Sequence, residues 1–273
     1  MPSPSSPCAA PASVLAAVPP GRLLSVNVGR ARSADRAGCE GAFTDGLGSG
    51  IDKRPADGGV AVAAPGPKGT GGSGLAGDAV VNLRHHGGDD QAVYAFARED
   101  LDAWERELGR PLPGGSFGEN LTTSGLDVNG ARIGERWRIG TDLLLEVSAP
   151  RIPCRVFADW LGETGWMKRF TQAAAPGAYL RVVEPGEIRA GDPVTVVHRP
   201  GHEVTISFAF RALTTERALL PRLLAAGQAL PSEMREKALA FGEGRKSAAG
   251  GLGGGQERKE GFEVAPPATN VPV

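Results

Sequence analysis

Between residues 136 and 197 the chain makes short apolar runs that stop again and again at glycine or proline. That texture restricts the fold more than any other feature. Residues 136–139, 143–147, 179–183 and 194–197 read as strands, punctuated by Gly140, Pro185-Gly186 and Gly191-Asp192. Residues 22–28 form another β-rich run, and residues 58–63 a further one. Only residues 92–108 carry a long helical pattern. There Val93, Phe96, Ala97, Leu101, Trp104 and Leu108 recur at helical spacing, and Gly109 and Pro111 end the run. The 40 glycines and 22 prolines among 273 residues argue against a helical bundle. The expectation is a mainly β core with one long helix.

The ends of the chain differ in texture. Residues 1–21 are rich in Pro, Ala and Ser and lack the basic start and long apolar segment of a secretory signal. They read as a disordered extension. Residues 22–198 hold the strand-rich core, and the Gly- and Pro-dense stretch 64–78 within it reads as a loop. After Pro200, residues 214–226 and 232–241 look helical, with Pro221 and Pro231 as breaks, which makes residues 199–242 a small helical appendage. Residues 243–273 are Gly-rich and polar and read as a disordered tail. Basic and acidic residues balance at 30 against 31, so there is no global positive field for nucleic acid. No apolar run approaches a membrane span. Cys8, Cys39 and Cys154 make neither a disulfide framework nor a metal-type pair. The cytoplasm is the expected location.

Three constellations could carry chemistry. The first is Arg84-His85-His86-Gly87-Gly88-Asp89-Asp90, directly before the expected helix. Adjacent histidines at a helix N-terminus suit an anion or a metal, and the two glycines let a ligand approach the backbone. The plainer reading is a turn capped by Asp89 or Asp90. It is the preferred one on residues alone, because no third metal ligand is visible at a fitting spacing. The second is Pro150-Arg151-Ile152-Pro153-Cys154-Arg155, between a strand and a short helical stretch over residues 155–161. It places Cys154 at a helix start between two arginines, a setting that favours a reactive thiolate. An inert buried cysteine is the alternative. The third is Phe117-Gly118-Glu119-Asn120-Leu121-Thr122-Thr123, whose polar groups at a glycine turn either orient a ligand or bond the local backbone. Lys168-Arg169-Phe170, on a possible helix over residues 165–173, reads as a solvated face or a phosphate contact.

Taken in order, these segments resemble the MOSC family, over about residues 22–197. Gly134-Glu135 and Gly191-Asp192 also fall at fitting places, and the helical end is similar to the three-helix domain of its YiiM-like branch. The resemblance implies a MOSC β-barrel-like core with a small C-terminal three-helix domain. It implies a molybdenum cofactor (molybdopterin) held near Arg84, His85, His86, Gly87, Gly88, Glu119, Asn120, Thr122 and Arg151. Cys154 is then the reactive centre and a metal ligand. Pyridoxal phosphate enters by family association alone, and no lysine motif independently marks it. The function implied is reduction of N-hydroxylated bases or related small molecules. The alternatives are a sulfur carrier with a Cys154 persulfide and a non-catalytic ligand-binding module. A small-molecule substrate and a redox or sulfur-transfer protein are the expected partners, with no nucleic acid and no membrane. One departure stands out: relatives often have an acidic residue where this chain has Asn82.

Overall fold

The computed structural model describes residues 20–30 and 49–250, with side chains described up to residue 243. Residues 1–19 of the expected extension, residues 251–273 of the expected tail, Cys8, Cys39 and most of the Gly-rich stretch 31–52 lie outside the described residues.

The core is a closed barrel of seven strands. In chain order these are β1 (Gly21–Gly29), β4 (Val93–Ala97), β5 (Leu121–Ser124), β6 (Arg136–Ile139), β7 (Leu143–Pro150), β8 (Ala178–Glu184) and β10 (Pro193–His198). Around the barrel the order is β10-β6-β7-β8-β4-β5-β1, and β1 pairs antiparallel with β10 to close it. β2 (Lys53–Pro55) pairs with the far end of β1, and β3 (Val60–Val62) pairs with β9 (Gly186–Ile188) in a separate ribbon. Every pairing is antiparallel except β4 with β5. A parallel pair needs a long crossover, and α1 (Arg98–Leu108) supplies it, ending in a left-handed Gly109 cap.

The expected helix over residues 92–108 is therefore half strand. Val93, Ala95 and Ala97 face the barrel interior, while Tyr94 and Phe96 face an aromatic cluster outside it. All five residues of β4 are buried. A strand covered on both faces loses its polar alternation, and a short apolar run of that kind cannot be told from a helix by periodicity.

The barrel interior continues into the C-terminal helices. Ile206, Ala209, Leu220, Leu223, Met234 and Ala238 share one apolar cluster with Ile133, Trp137, Leu145 and Val147. The sequence reading missed α4 (Ile206–Leu213), which starts after Thr205, whose hydroxyl accepts from Phe208 N at 3.1 Å. Pro221 does not break the next element: it lies within a 3-10 segment, Arg217–Ala229. α5 (Ser232–Gly250) runs past the expected start of the tail at residue 243, consistent with helix-forming Glu, Arg, Lys and Ala between residues 243 and 249. No helix among the described residues is long and apolar enough to cross a membrane.

A second cluster packs α1, α2 (Arg155–Leu161) and α3 (Trp166–Ala173) against the barrel wall. Phe117 meets Phe157 edge-on with centroids 5.2 Å apart, and Trp104 lies 4.7 Å from Trp166. Edge-to-face pairs of this type contribute about 0.5–1.5 kcal/mol each beyond area burial.

One tie between α1 and the barrel is sensitive to pH. Asp100 accepts a hydrogen bond from Asn129 Nδ2 at 2.6 Å, and Asn129 Oδ1 accepts from Gly177 N at 3.0 Å. Burial pushes the Asp100 carboxyl up to about 6, from an ordinary value of 3.8, with Asp127 and Glu99 adding to the rise against the Asn129 bond. A raised carboxyl favours the fold while protonated, so this stability is present below about 4 and lost as pH rises through about 6. Asp100→Asn keeps the acceptor and removes the charge. Its melting temperature should exceed the wild type's at pH 7 and match it at pH 4.

Candidate functional site

β7 ends at Pro150, and the next four residues lead to α2. Cys154 is the N-cap residue of α2, in an extended conformation, and its partly buried side chain is a free thiol. Arg151 is buried beneath it. The guanidinium carbon stands 3.7 Å from the Phe157 ring centroid and 5.2 Å from that of Tyr94, and Nη1 donates to Phe117 O at 2.6 Å. No carboxylate among the described residues pairs with it. Burial alone would make Arg151 less basic, but the hydroxyls of Tyr94 and Tyr179 and the Cys154 sulfur reverse the direction and hold the cation.

Both residues open onto a cavity of about 150 Å³. Its wall starts at Ser49, the first described residue of that segment, so the volume is the one bounded by the described residues. Of the nine residues expected beside Cys154, His86, Gly87, Asn120 and Arg151 line this cavity. Arg84 and His85 are exposed and lie outside the lining. The reason is local. The carbonyl of Asn82 accepts from the backbone N–H of both histidines, at 3.2 and 3.0 Å, and the tight turn sends successive side chains to different sides. No long helix follows. A 3-10 turn over Asp89–Gln91 leads straight into β4, so the expected helix N-terminus at the histidines does not exist.

The two glycines of this turn admit the chain itself rather than a ligand. Gly88 N donates to Gly72 O at 3.1 Å, and a Cβ on Gly87 would lie 2.7 Å from that same carbonyl oxygen. A Cβ on Gly88 would sit 2.6 Å from the Lys68 backbone. The Gly-rich stretch around Lys68 and Gly72 is thus folded down onto the histidine turn.

Glu119 and Thr122 lie behind the lining. The buried Glu119 carboxylate accepts from Gly115 N at 2.6 Å, Phe117 N at 2.9 Å and the Thr122 hydroxyl at 3.0 Å. Burial raises its pKa and these bonds oppose the rise. Its work is to fold the segment that presents Asn120. Asn120 is saturated in turn: Oδ1 accepts from Tyr94 N at 3.1 Å, and Nδ2 donates to Asn27 O at 3.2 Å and to Asp78 Oδ2 at 2.9 Å.

Lys53, Asp78, Tyr94 and Tyr179 also line the cavity, and the sequence reading missed all four. Asp78 stands four residues before Asn82; it pairs with Lys53 and accepts from Gly29 N at 2.7 Å. A charged residue inside an otherwise Gly-rich loop was the available signal. Burial pulls the Lys53 ammonium below the ordinary lysine range, against the pull of Asp78. Burial, followed by the electrostatic influence of Arg151, His85 and Lys68, pushes His86 down to about 4, so its imidazole is neutral at pH 7. Burial also pushes the hydroxyls of Tyr94 and Tyr179 upward, and the Tyr94 hydroxyl donates to Pro176 O at 2.7 Å.

Comparison with known proteins agrees with the fold. The family model for the MOSC domain matches residues 82–195. The protein YflK of Bacillus subtilis is 31% identical over 189 residues, 69% of this chain and 79% of its own length. A protein of Gibberella moniliformis named a reductase is 31% identical over 185 residues, 66% of this chain but only 30% of the fungal protein. The solved structure of YiiM from Geobacillus stearothermophilus has a TM-score of 0.63 at 28% identity, covering 81% of this chain and 99% of that one.

Gly88 tests the crossing under the histidine turn. Its φ of 78° and ψ of 172° lie where only glycine rests comfortably, and a side chain there costs about 1–3 kcal/mol before any clash. Gly88→Ala should lower the melting temperature by several degrees. Gly58→Ala, at a positive φ with open space around it, should cost less.

Proposed function

The chain belongs to the MOSC family, and from that premise we propose that it binds a molybdenum cofactor and reduces N-hydroxylated bases or related small molecules, with Cys154 as the protein's ligand to the metal. The observation that carries this reading is the meeting of Cys154 and Arg151 on one cavity, a thiol above a buried cation that no described carboxylate neutralises. Soft thiolate suits a redox transition metal. A buried guanidinium without a counter-charge is costly, so an anionic group, such as the phosphate of a pterin, is favoured beside it.

The donor set fits such a cofactor. Among the described residues no group of three His, Cys, Asp or Glu side chains is placed to hold a metal ion. A metal that brings its own ligands and takes one sulfur from the protein matches that arrangement. The MOSC domain is itself associated with molybdenum cofactor binding, and the fungal relative is named a reductase.

When bound, the cofactor supplies two-electron redox chemistry. The chain's own residues hold and orient. Cys154 Sγ would hold the metal end, and Arg151 would neutralise negative charge. His86, uncharged at pH 7, exchanges hydrogen bonds without adding to the positive field. Val80, Val81 and Val156 give the cavity apolar lining that keeps water back. A small molecule enters as substrate, and a separate redox protein delivers the electrons.

Protein made in a host that synthesises the cofactor should carry molybdenum in proportion to chain and reduce hydroxylamine compounds with reduced methyl viologen as donor. Cys154→Ala should lose nearly all of both. A wild type that holds no molybdenum but carries cyanide-labile sulfur, lost in Cys154→Ala, would make the chain a sulfur carrier. A wild type that binds an N-hydroxylated base without turnover, with the same binding in Cys154→Ala, would leave a ligand-binding module.

A further inference from the structure

Lys53 opens onto the cavity of Cys154, and the cofactor-binding reading leaves it without a task. The fold places it with care. The residue is pinched between two glycines, at its backbone and at its side-chain stem. A Cβ on Gly115 would lie 2.4 Å from the Lys53 carbonyl oxygen, and a Cβ on Gly29 would lie 3.2 Å from Lys53 Cγ. At the far end its Nζ pairs with Asp78, and Asp78 is itself held by Gly29 N and Asn120 Nδ2. The side chain is 8% exposed. An ammonium has three donors, and no other acceptor among the described residues takes the remaining two.

Reduction of an N-hydroxyl group needs a proton on the oxygen that leaves. Four of the other cavity groups are poor sources. Tyr94 gives its hydroxyl hydrogen to Pro176 O. His86 carries no spare proton at pH 7. Arg151 does not release one, and Cys154 is committed to the metal.

We propose that Lys53 is the general acid of the reduction and protonates the departing hydroxyl. The assignment rests on the reductase reading above. The balance is R–NH–OH + 2 e⁻ + 2 H⁺ → R–NH₂ + H₂O. The N–O bond breaks with two electrons that the external donor supplies. Nζ–H gives one proton to the oxygen, which leaves as water, and the second proton reaches the nitrogen from solvent. Solvent then reprotonates the amine, which Asp78 keeps in place. The charged groups facing Lys53 are Asp78 from the loop before the histidine turn, Glu119 from the segment before β5 and Arg151 from the loop after β7. The two carboxylates hold the proton, while Arg151 and burial loosen it.

The test uses cofactor-loaded protein, reduced methyl viologen and an N-hydroxylated base, across a pH series. Lys53→Met should lower kcat by about 100-fold or more, with molybdenum content and KM kept, and should lose the basic limb of the kcat profile. Lys53→Arg preserves the charge pair with Asp78 but releases no proton, so it should show the same loss in a folded protein. In Lys53→Ala, added methylamine should restore part of the rate. Without any cofactor, NMR of protein labelled at lysine Cε should show one lysine, absent in Lys53→Arg, titrating below the others. An inactive loaded wild type would overturn the reductase reading and the acid assignment with it. Given an active wild type, three results would each overturn the acid assignment alone. One is Lys53→Arg keeping the rate and profile. Another is Tyr179→Phe losing the basic limb instead. The third is Lys53→Met losing molybdenum with unchanged turnover per metal.

Discussion

The seam between β1 and β10 is the constraint on which the rest of the molecule depends. Its register covers only Gly21 opposite Val194 and Arg22 opposite Pro193. Pro193 has no N–H to give. Leu23 N bonds to Asp192 O at 2.9 Å and Gly191 N to Leu23 O at 2.7 Å, which carries the pairing past the proline. Closure removes the open edges that a sheet would otherwise present and encloses the apolar interior. The same strand runs on to Asn27–Gly29, where it pairs with β2. β1 therefore closes the barrel with one end and, through Lys53 and the Gly29 bond to Asp78, builds the cavity wall with the other.

The opposite wall depends on β7 and the aromatic cluster. β7 pairs with β6 and β8 as a barrel strand and then leads directly into Arg151 and Cys154. α2 has only seven residues, too few to be stable alone. Phe157 anchors it by meeting Phe117, Trp166 and Phe170, all buried. Phe157 also carries the Arg151 guanidinium on its face. One side chain thus couples the packing of the cluster to the position of the cavity's cation.

What the sequence made legible follows from which signals are local. Short strands bounded by Gly and Pro could be read because each run and its breaker are contiguous, and strand β6, helix α2 and the Gly109 cap fall where expected. The MOSC barrel-like core was legible through the order of its motifs. β4 was not, because burial on both faces erased its alternation. Cys154, Arg151 and His86 stood out by their neighbours in the chain. Lys53 and Asp78 did not, since their pairing spans 25 residues and depends on two glycines and a strand register that no local pattern announces. His85 and Arg84 were carried along by adjacency, and at the turn by Asn82 they are exposed while His86 lines the cavity.

The charge of the cavity explains why these groups coexist. Lys53 and Asp78 cancel as a pair, and His86 contributes no charge at neutral pH. Arg151 is left as a net positive charge that aromatic faces soften without neutralising. Cation–π contact is worth about 2 kcal/mol when desolvated, less than the several kcal/mol that a buried ion costs. Two hydroxyls and the Cys154 sulfur are its remaining electrostatic partners. A cation placed this way is destabilising until an anion arrives, whether a metal-bound thiolate or the negative group of a cofactor. Arg151 is therefore better explained by what the cavity binds than by what holds the barrel together. Lys53, already paired with Asp78, would by the same balance leave undiminished the attraction of Arg151 for such an anion.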